Sequence, residues 1–208
     1  MKMVKTTFSV VVAAVAALGM FVVSASPANA VTPTLPSDQH LFVIDCNNGD
    51  GYLWSVNPAN GMSTAVGSAH PTHTCTAGAQ ENPVDGKVYV VYTLNNEDQM
   101  LSTLDTQTGE YTDIGPIHGF TQYINALIIT TSGEAYGAQF SGAPLLRVDL
   151  ATGLTTLIGT PGADTSAIAY NPSDDNIYAY TWGGDAYRIN KETGAATAPV
   201  SYTHLTLP

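Results

Sequence analysis

One unit recurs along this 208-residue chain, and nothing else in it limits the fold as tightly. The copies are "YLWSVNPANGMSTAVG" from Tyr52, "MLSTLDTQTGEYTDIG" from Met100, "LLRVDLATGLTTLIG" from Leu145 and "AYRINKETGAATAPV" from Ala186. Their spacing is about 41 to 48 residues, the period of a small sheet repeated around an axis. Between copies lies a second element: "ENPVDGKVYVVY", "ITTSGEAYGAQF" and "YNPSDDNIYAYTW". Each is a turn cluster followed by an alternating, Tyr-rich run. Short runs of Val, Ile, Thr and Tyr read as strands, and Gly, Asn, Asp and Pro punctuate them. No stretch beyond residue 30 holds a helical period for three turns.

The last unit divides most cleanly. "TSAIAY", "IYAYTW", "AYRIN" and "AATAPV" read as strands a to d, separated by "NPSDDN", "GGD" and "KETG". Four antiparallel strands per repeat describe a propeller blade. The fold class predicted is all-β: a β-propeller of four-stranded blades, truncated to about three and a half. Blades are expected at about 40–68, 73–115, 121–160 and 164–199, after a linker at 31–39. The first offers strands b, c and d but no strand a. A later C-terminal strand is expected to supply it, so further C-terminal blades are expected.

Both ends of the chain are set aside. Lys2 and Lys5, the apolar run "FSVVVAAVAALGMFVV" and the Ala28-Asn29-Ala30 site read as a secretory signal over residues 1–30, cut before Val31. The apolar run is shorter than a bilayer needs. The mature chain is therefore expected to be secreted or at the cell surface, with no transmembrane span. At the other end, Val200–Pro208, "VSYTHLTLP", resembles the translation of a transposon adapter used in sequencing libraries, and reads as a non-native tail.

Charge excludes whole classes of partner. The formal net charge is −11, and removing Lys2 and Lys5 takes it to about −13. Lys87, Arg147, Arg188 and Lys191 then remain. Four scattered cations cannot track a phosphate backbone, so nucleic acid is not an expected partner. Calcium is the plausible ionic partner, but no motif supports it, and no cofactor is expected. "DCNNGDG" lacks the register of an EF-hand loop. "HPTHTC" lacks a zinc spacing, so no metal site is expected at His70, His73 and Cys75. The two cysteines, Cys46 and Cys75, fall on one rim of neighbouring blades and are expected to form a disulfide. It would close a loop of about 30 residues, worth about 3 kcal/mol if unstrained.

The copies of "L-x-x-[VLI]-[DN]-x-x-[TN]-G-x-x-T-x-[IV]-G" and the "N-P-x-[DS]-[DG]-x-[IV]-Y" turns resemble secreted bacterial β-propeller repeat proteins. These are the YVTN-type and quinoprotein-like group, with WD40-like blades. The resemblance implies the fold strongly and function poorly. Quinoprotein dehydrogenases place a docking tryptophan after a similar turn, whereas Trp54 and Trp182 lie on other strands here, which lowers the redox reading. Neither the aspartate box nor the arginine cluster of sialidases is present.

In such folds the d-to-a and b-to-c loops share the face that usually binds ligand. That face is expected to hold residues 46–51, 68–75, 95–99, 116–122, 141–144, 160–166 and 183–185, with the Asp-Gly and Thr-Gly turns on the opposite face. "PIHGFTQY" is the favoured contact loop, through His118, Phe120 and Tyr123, with His70 and His73 as further ligand-binding candidates. Packing between blades is the preferred reading of Phe120 and Tyr123 themselves, and of the repeated tyrosines 89, 92, 136, 170, 178 and 180. The adjacent acids Asp174 and Asp175 are expected to be solvated turn residues, as are Glu97 and Asp98. No catalytic residue is assigned. The predicted function is a non-catalytic secreted or cell-surface binding or scaffolding module for an extracellular protein or glycan. A propeller hydrolase or lyase of lactonase type, completed by further blades, is the alternative.

Overall fold

The computed structural model describes residues 41–44, 51–70, 72–94, 98–139, 144–162, 165–181 and 185–197. All regular structure among them is β, and it forms four sheets arranged as propeller blades. The first has three strands, β1 (Leu41–Ile44), β2 (Leu53–Val56) and β3 (Ser63–Val66). The second runs β4 (His73–Glu81), β5 (Val88–Leu94), β6 (Gln99–Leu104) and β7 (Tyr111–Pro116). A short bridge, β8 (His118–Gly119), precedes the third sheet, β9 (Ala126–Ile129), β10 (Ala135–Ala138), β11 (Leu145–Val148) and β12 (Leu154–Gly159). The fourth comprises β13 (Thr165–Asn171), β14 (Asn176–Thr181), β15 (Ala186–Ile189) and β16 (Ala196–Thr197). Strands pair antiparallel in sequence order, with one exception. β8 runs parallel to β12, so the link between the second and third sheets is tied to the third sheet's outer edge. The repeat does not announce that strand.

Two sequence motifs build the turns. In "NPVDG", the Asn82 carboxamide accepts from Val84 N–H, and Asp85 accepts from Lys87 N–H and from the Tyr89 hydroxyl at 2.8 Å. In "NPSDD" the pattern repeats with Asn171, Asp174 and Tyr178. The second motif is Asp/Asn-x-x-Thr-Gly. Asp105 accepts from Gln107 and Thr108 N–H, and Asn190 does the same for Glu192 and Thr193. Short acceptor side chains bonding their own backbone two residues on are the usual mechanism of such turns.

Alternation places the core between sheets rather than on one face. Val88, Val90 and Tyr92 pack with Leu53, Phe42 and Ile44 of the first sheet. Tyr89 and Val91, on the other face of β5, pack with Ile124, Leu127 and Ile129. Ile128 and Tyr136 pack in turn with Ile168 and Ile177 of the fourth sheet. Strands covered on both faces explain the near-continuous apolar runs. Tyr92 and Tyr136 are fully buried as expected, but Tyr180 is exposed.

Candidate functional site

Two loop regions hold the ligand-binding candidates, and they are built differently. The first is the junction between the first and second sheets. His73 is not a loop residue. It opens β4, pairs with Leu94 and is wholly buried. Its ring packs on Tyr92 at 4.9 Å and edge-on to Tyr111 at 5.7 Å. His70, half-buried, lies 4.9 Å from Tyr92, 5.0 Å from Tyr111 and 6.2 Å from His73. The backbone of Gly51 lies directly against the His73 ring, where a Cβ would overlap it. Tyr111 reaches across to donate to Gly51 C=O at 3.4 Å.

The polar edges of this ring cluster are mostly satisfied. Tyr92 donates to Asp113 at 2.8 Å, and Ser102 donates to the same oxygen at 2.6 Å. His70 Nε2 meets the Tyr92 oxygen at 3.4 Å. Since the tyrosine proton goes to Asp113, that contact requires an N–H on His70 Nε2. His73 Nε2 meets Thr76 Oγ1 at 2.9 Å, while its Nδ1 is buried without a hydrogen-bond partner. Burial, aided by the neighbouring His70, pulls the His73 pKa down to about 4. Burial also pushes the Tyr92 and Tyr111 phenols well up. At neutral pH His73, Tyr92 and Tyr111 are thus uncharged. His73 is therefore sealed from a ligand, contrary to its expected place on an open loop. His73 is the first residue of β4, paired with Leu94 beside a register shift, and its ring is turned into the junction.

The second region is residues 117–124. The His118 N–H donates to Gly153 C=O at 3.2 Å, and its Nδ1 sits 2.8 Å from Pro116 O. Thr155 Oγ1 lies 2.6 Å from His118 O and 3.0 Å from Thr121 O, and accepts from Thr121 N–H. The Gln139 amide donates to Thr121 Oγ1 and Tyr123 O. Buried Gln99 closes the loop, pairing its amide with both N–H and C=O of Ile124 at 2.7 and 2.8 Å. With the backbone so pinned, Phe120 and Tyr123 project outward, 52% and 44% exposed. Packing between blades does not hold for them, because Ile117 and Ile124 take the inward positions. Leu154, 41% exposed, borders the same loop through Gly119.

The structure also changes the expected division into faces. The Thr152–Gly153 turn packs on Pro116 and Gly115, where the d-to-a segment starts. Outer strands of twisted sheets swing toward the next blade, so these turns meet the loops they were expected to oppose. Asp174 and Asp175 sit on an exposed turn but are engaged, by Tyr178 and by Lys191 with Tyr170. Those bonds hold both carboxyls below the usual range. Asp45, Cys46, Asn47, Asp50, Glu97, Trp182 and Val200–Pro208 lie outside the described residues, so the disulfide, the calcium-like loop and the tail are not placed. Among the described residues, no three His, Cys, Asp or Glu side chains come together in a metal-holding group. No described helix is long and apolar enough to cross a membrane.

Sequence reasoning missed the pins Gln99, Thr121, Gln139 and Thr155, and the acceptor Asp113. Gln99 carried the one available signal, a polar residue opening an apolar strand.

The chain matches no protein-family model and no curated protein. Its fold is similar to solved structures. A nidogen–laminin complex matches with a TM-score of 0.58 at 13% identity, over 76% of this chain and 60% of that one. An auxiliary nutrient binding protein from Bacteroides thetaiotaomicron matches at 0.53 and 16%, over 77% and 38%. A candidate 6-phosphogluconolactonase from Bacteroides uniformis matches at 0.51 and 16%, over 79% and 50%. The matched region thus spans 38% to 60% of those chains. At such identities the likeness establishes the propeller fold and nothing finer.

Proposed function

We propose that this chain is a non-catalytic β-propeller module that binds an extracellular protein or glycan through the loop 117–124. One observation carries the reading: Phe120 and Tyr123 are exposed on a loop whose backbone is fixed by Gln99, Gln139 and Thr155. Rigid, exposed aromatic side chains supply contact area at low entropic cost. The polar groups beside them are spent on holding the loop, which suits binding more than proton transfer.

The same reading places the mature chain outside the cell, cut before Val31, with Cys46 bonded to Cys75. Cys75 is not a free thiol, which supports that pairing. N-terminal sequencing and alkylation mass spectrometry of exported material test both points.

The function is tested by immobilising the mature chain and presenting cell-wall polysaccharides and extracellular proteins. The expected result is saturable binding of at least one of them, weakened tenfold or more by Phe120→Ala with Tyr123→Ala. Binding that ignores both substitutions overturns the assignment. So does turnover of lactones or esters lost on substituting residues of the described loops.

A further inference from the structure

Each repeat copy but the fourth ends in glycine, and the structure shows what that glycine does. Gly67, at the end of β3, packs against Thr108 O in the turn of the next sheet, and a Cβ there would overlap it. Gly115 stands the same way to Thr152 O, its Cβ position 3.0 Å away, and Gly159 overlaps Thr193 O. The turn glycines answer from the other side. A Cβ on Gly153 would lie 2.5 Å from Pro116 O, and one on Gly194 would lie 2.6 Å from Gly159 Cα. The ends of β3, β7 and β12 are thus latched, backbone to backbone, onto the Thr-Gly turn of the following blade. Three junctions use the device, and both partners must lack a side chain.

The first sheet carries the same acceptor turn. Gly61 N–H donates to Asn57 O and Asn57 N–H donates to Met62 O, both at 2.8 Å, as Gly109 and Asp105 do in the second sheet. The Asn60 side chain accepts from Met62 N–H in the place of threonine. Gly61 has φ +71°, against +75°, +79° and +70° at Gly109, Gly153 and Gly194. Yet no described atom lies within 4 Å of its Cβ position. Met62 beside it is exposed. Among the described residues this sheet also has three strands, where the others have four or five.

We propose that the Asn57–Met62 turn is the acceptor for the glycine-ended outer strand of a further blade of this same repeat, on the same polypeptide, which closes the ring. The inference rests on the fold and not on the binding reading. A second copy does not fit as occupant. Gly67, Gly115 and Gly159 are already engaged. The matched propellers are longer than the region this chain covers, which leaves room for such a blade.

The test starts by sequencing the gene past codon 199 and producing the polypeptide its frame encodes. The last repeat before the closing strand is expected to end its outer strand in glycine. In that polypeptide, Gly61→Val is compared with Gly86→Val. Gly86 has the same φ of +71° and no described atom near its Cβ position, so it reports backbone strain alone. Gly61→Val should lower Tm by about 3–6 °C more than Gly86→Val. If Gly61→Val does not fold, Gly61→Ala against Gly86→Ala gives the same reading. Equal losses at the two sites overturn the proposal, as does a frame that ends without a further glycine-ended repeat.

Discussion

The junction between the first and second sheets and the junction between the second and third do the same job with opposite chemistry. The first is filled by the packed rings of His70, His73, Tyr92 and Tyr111, and burial shifts the pKa values of the last three. The second is apolar and stitched by two glutamine amides, Gln99 on Ile124 and Gln80 on Ile129, each bonding an N–H and a C=O. An amide imitates a strand edge and does not titrate. A histidine sealed at a pKa of about 4 holds its junction only while it stays neutral. One seam should therefore be insensitive to pH and the other should not.

The largest effect should come from Gln99. Replacing it with alanine strips both buried bonds from Ile124, and an unsatisfied buried group costs about 1–3 kcal/mol. Gln99→Ala should lose about 3–4 kcal/mol in urea unfolding. Gln80→Ala, at a half-buried site where water substitutes, should lose visibly less. Equal losses would mean that burial does not set the value of these clamps.

Acid should separate the two junctions next. His73 titrates near 4 when folded, against an ordinary 6.5, so between those values the folded chain holds fewer protons than the unfolded one. Its contribution is whole above pH 6.5, falls as pH drops through that window and is gone below about 4. The total is at most about 3 kcal/mol. His73→Phe should flatten the slope of stability between pH 7 and 5. Hydrogen exchange at pH 5 should show β1–β3 amides opening before those of β9–β12. Uniform exchange across both seams would break the comparison.

The glycine latch is common to the junctions, so it measures what they share. Gly159 lies in ordinary strand conformation, which isolates the steric term. Gly159→Ala should cost about 1–3 kcal/mol by overpacking against Thr193 O. Gly115→Ala, whose Cβ position stands 3.0 Å from Thr152 O, should cost less, by the same urea assay.

The repeat made the architecture legible. The Asp/Asn-x-x-Thr-Gly turns, the Asn-Pro turns and the alternation of "VYVVY" all read directly as local geometry. The recurrent tyrosines were legible as strand residues but only partly in their role, since Tyr89 and Tyr178 also brace their own turns through Asp85 and Asp174. The candidate site was less legible because it lies where the copies stop resembling one another. His70, His73, Gln99 and His118–Ile124 have no counterparts to average over. Whether His73 faces in or out turns on the register shifts beside it in β4, between His73 and Cys75 and between Thr76 and Gly78, which composition does not encode.

The smallest effect on stability is expected where the effect on binding is largest. Phe120 and Tyr123 stand outside the core clusters, and the loop that carries them is held by main-chain bonds from Gln99, Gln139 and Thr155. Truncating either ring removes few buried contacts, so each alanine substitution should change stability by less than about 0.5 kcal/mol. Thr155→Val keeps the shape but deletes the hydroxyl between His118 O and Thr121 O. It should loosen the loop, raising exchange at Phe120 and Thr121 amides, and weaken binding while both aromatics remain. Binding that survives Thr155→Val but not Phe120→Ala would make the aromatics sufficient without preorganisation. Loss in both would show that the surface works because the second junction holds it still.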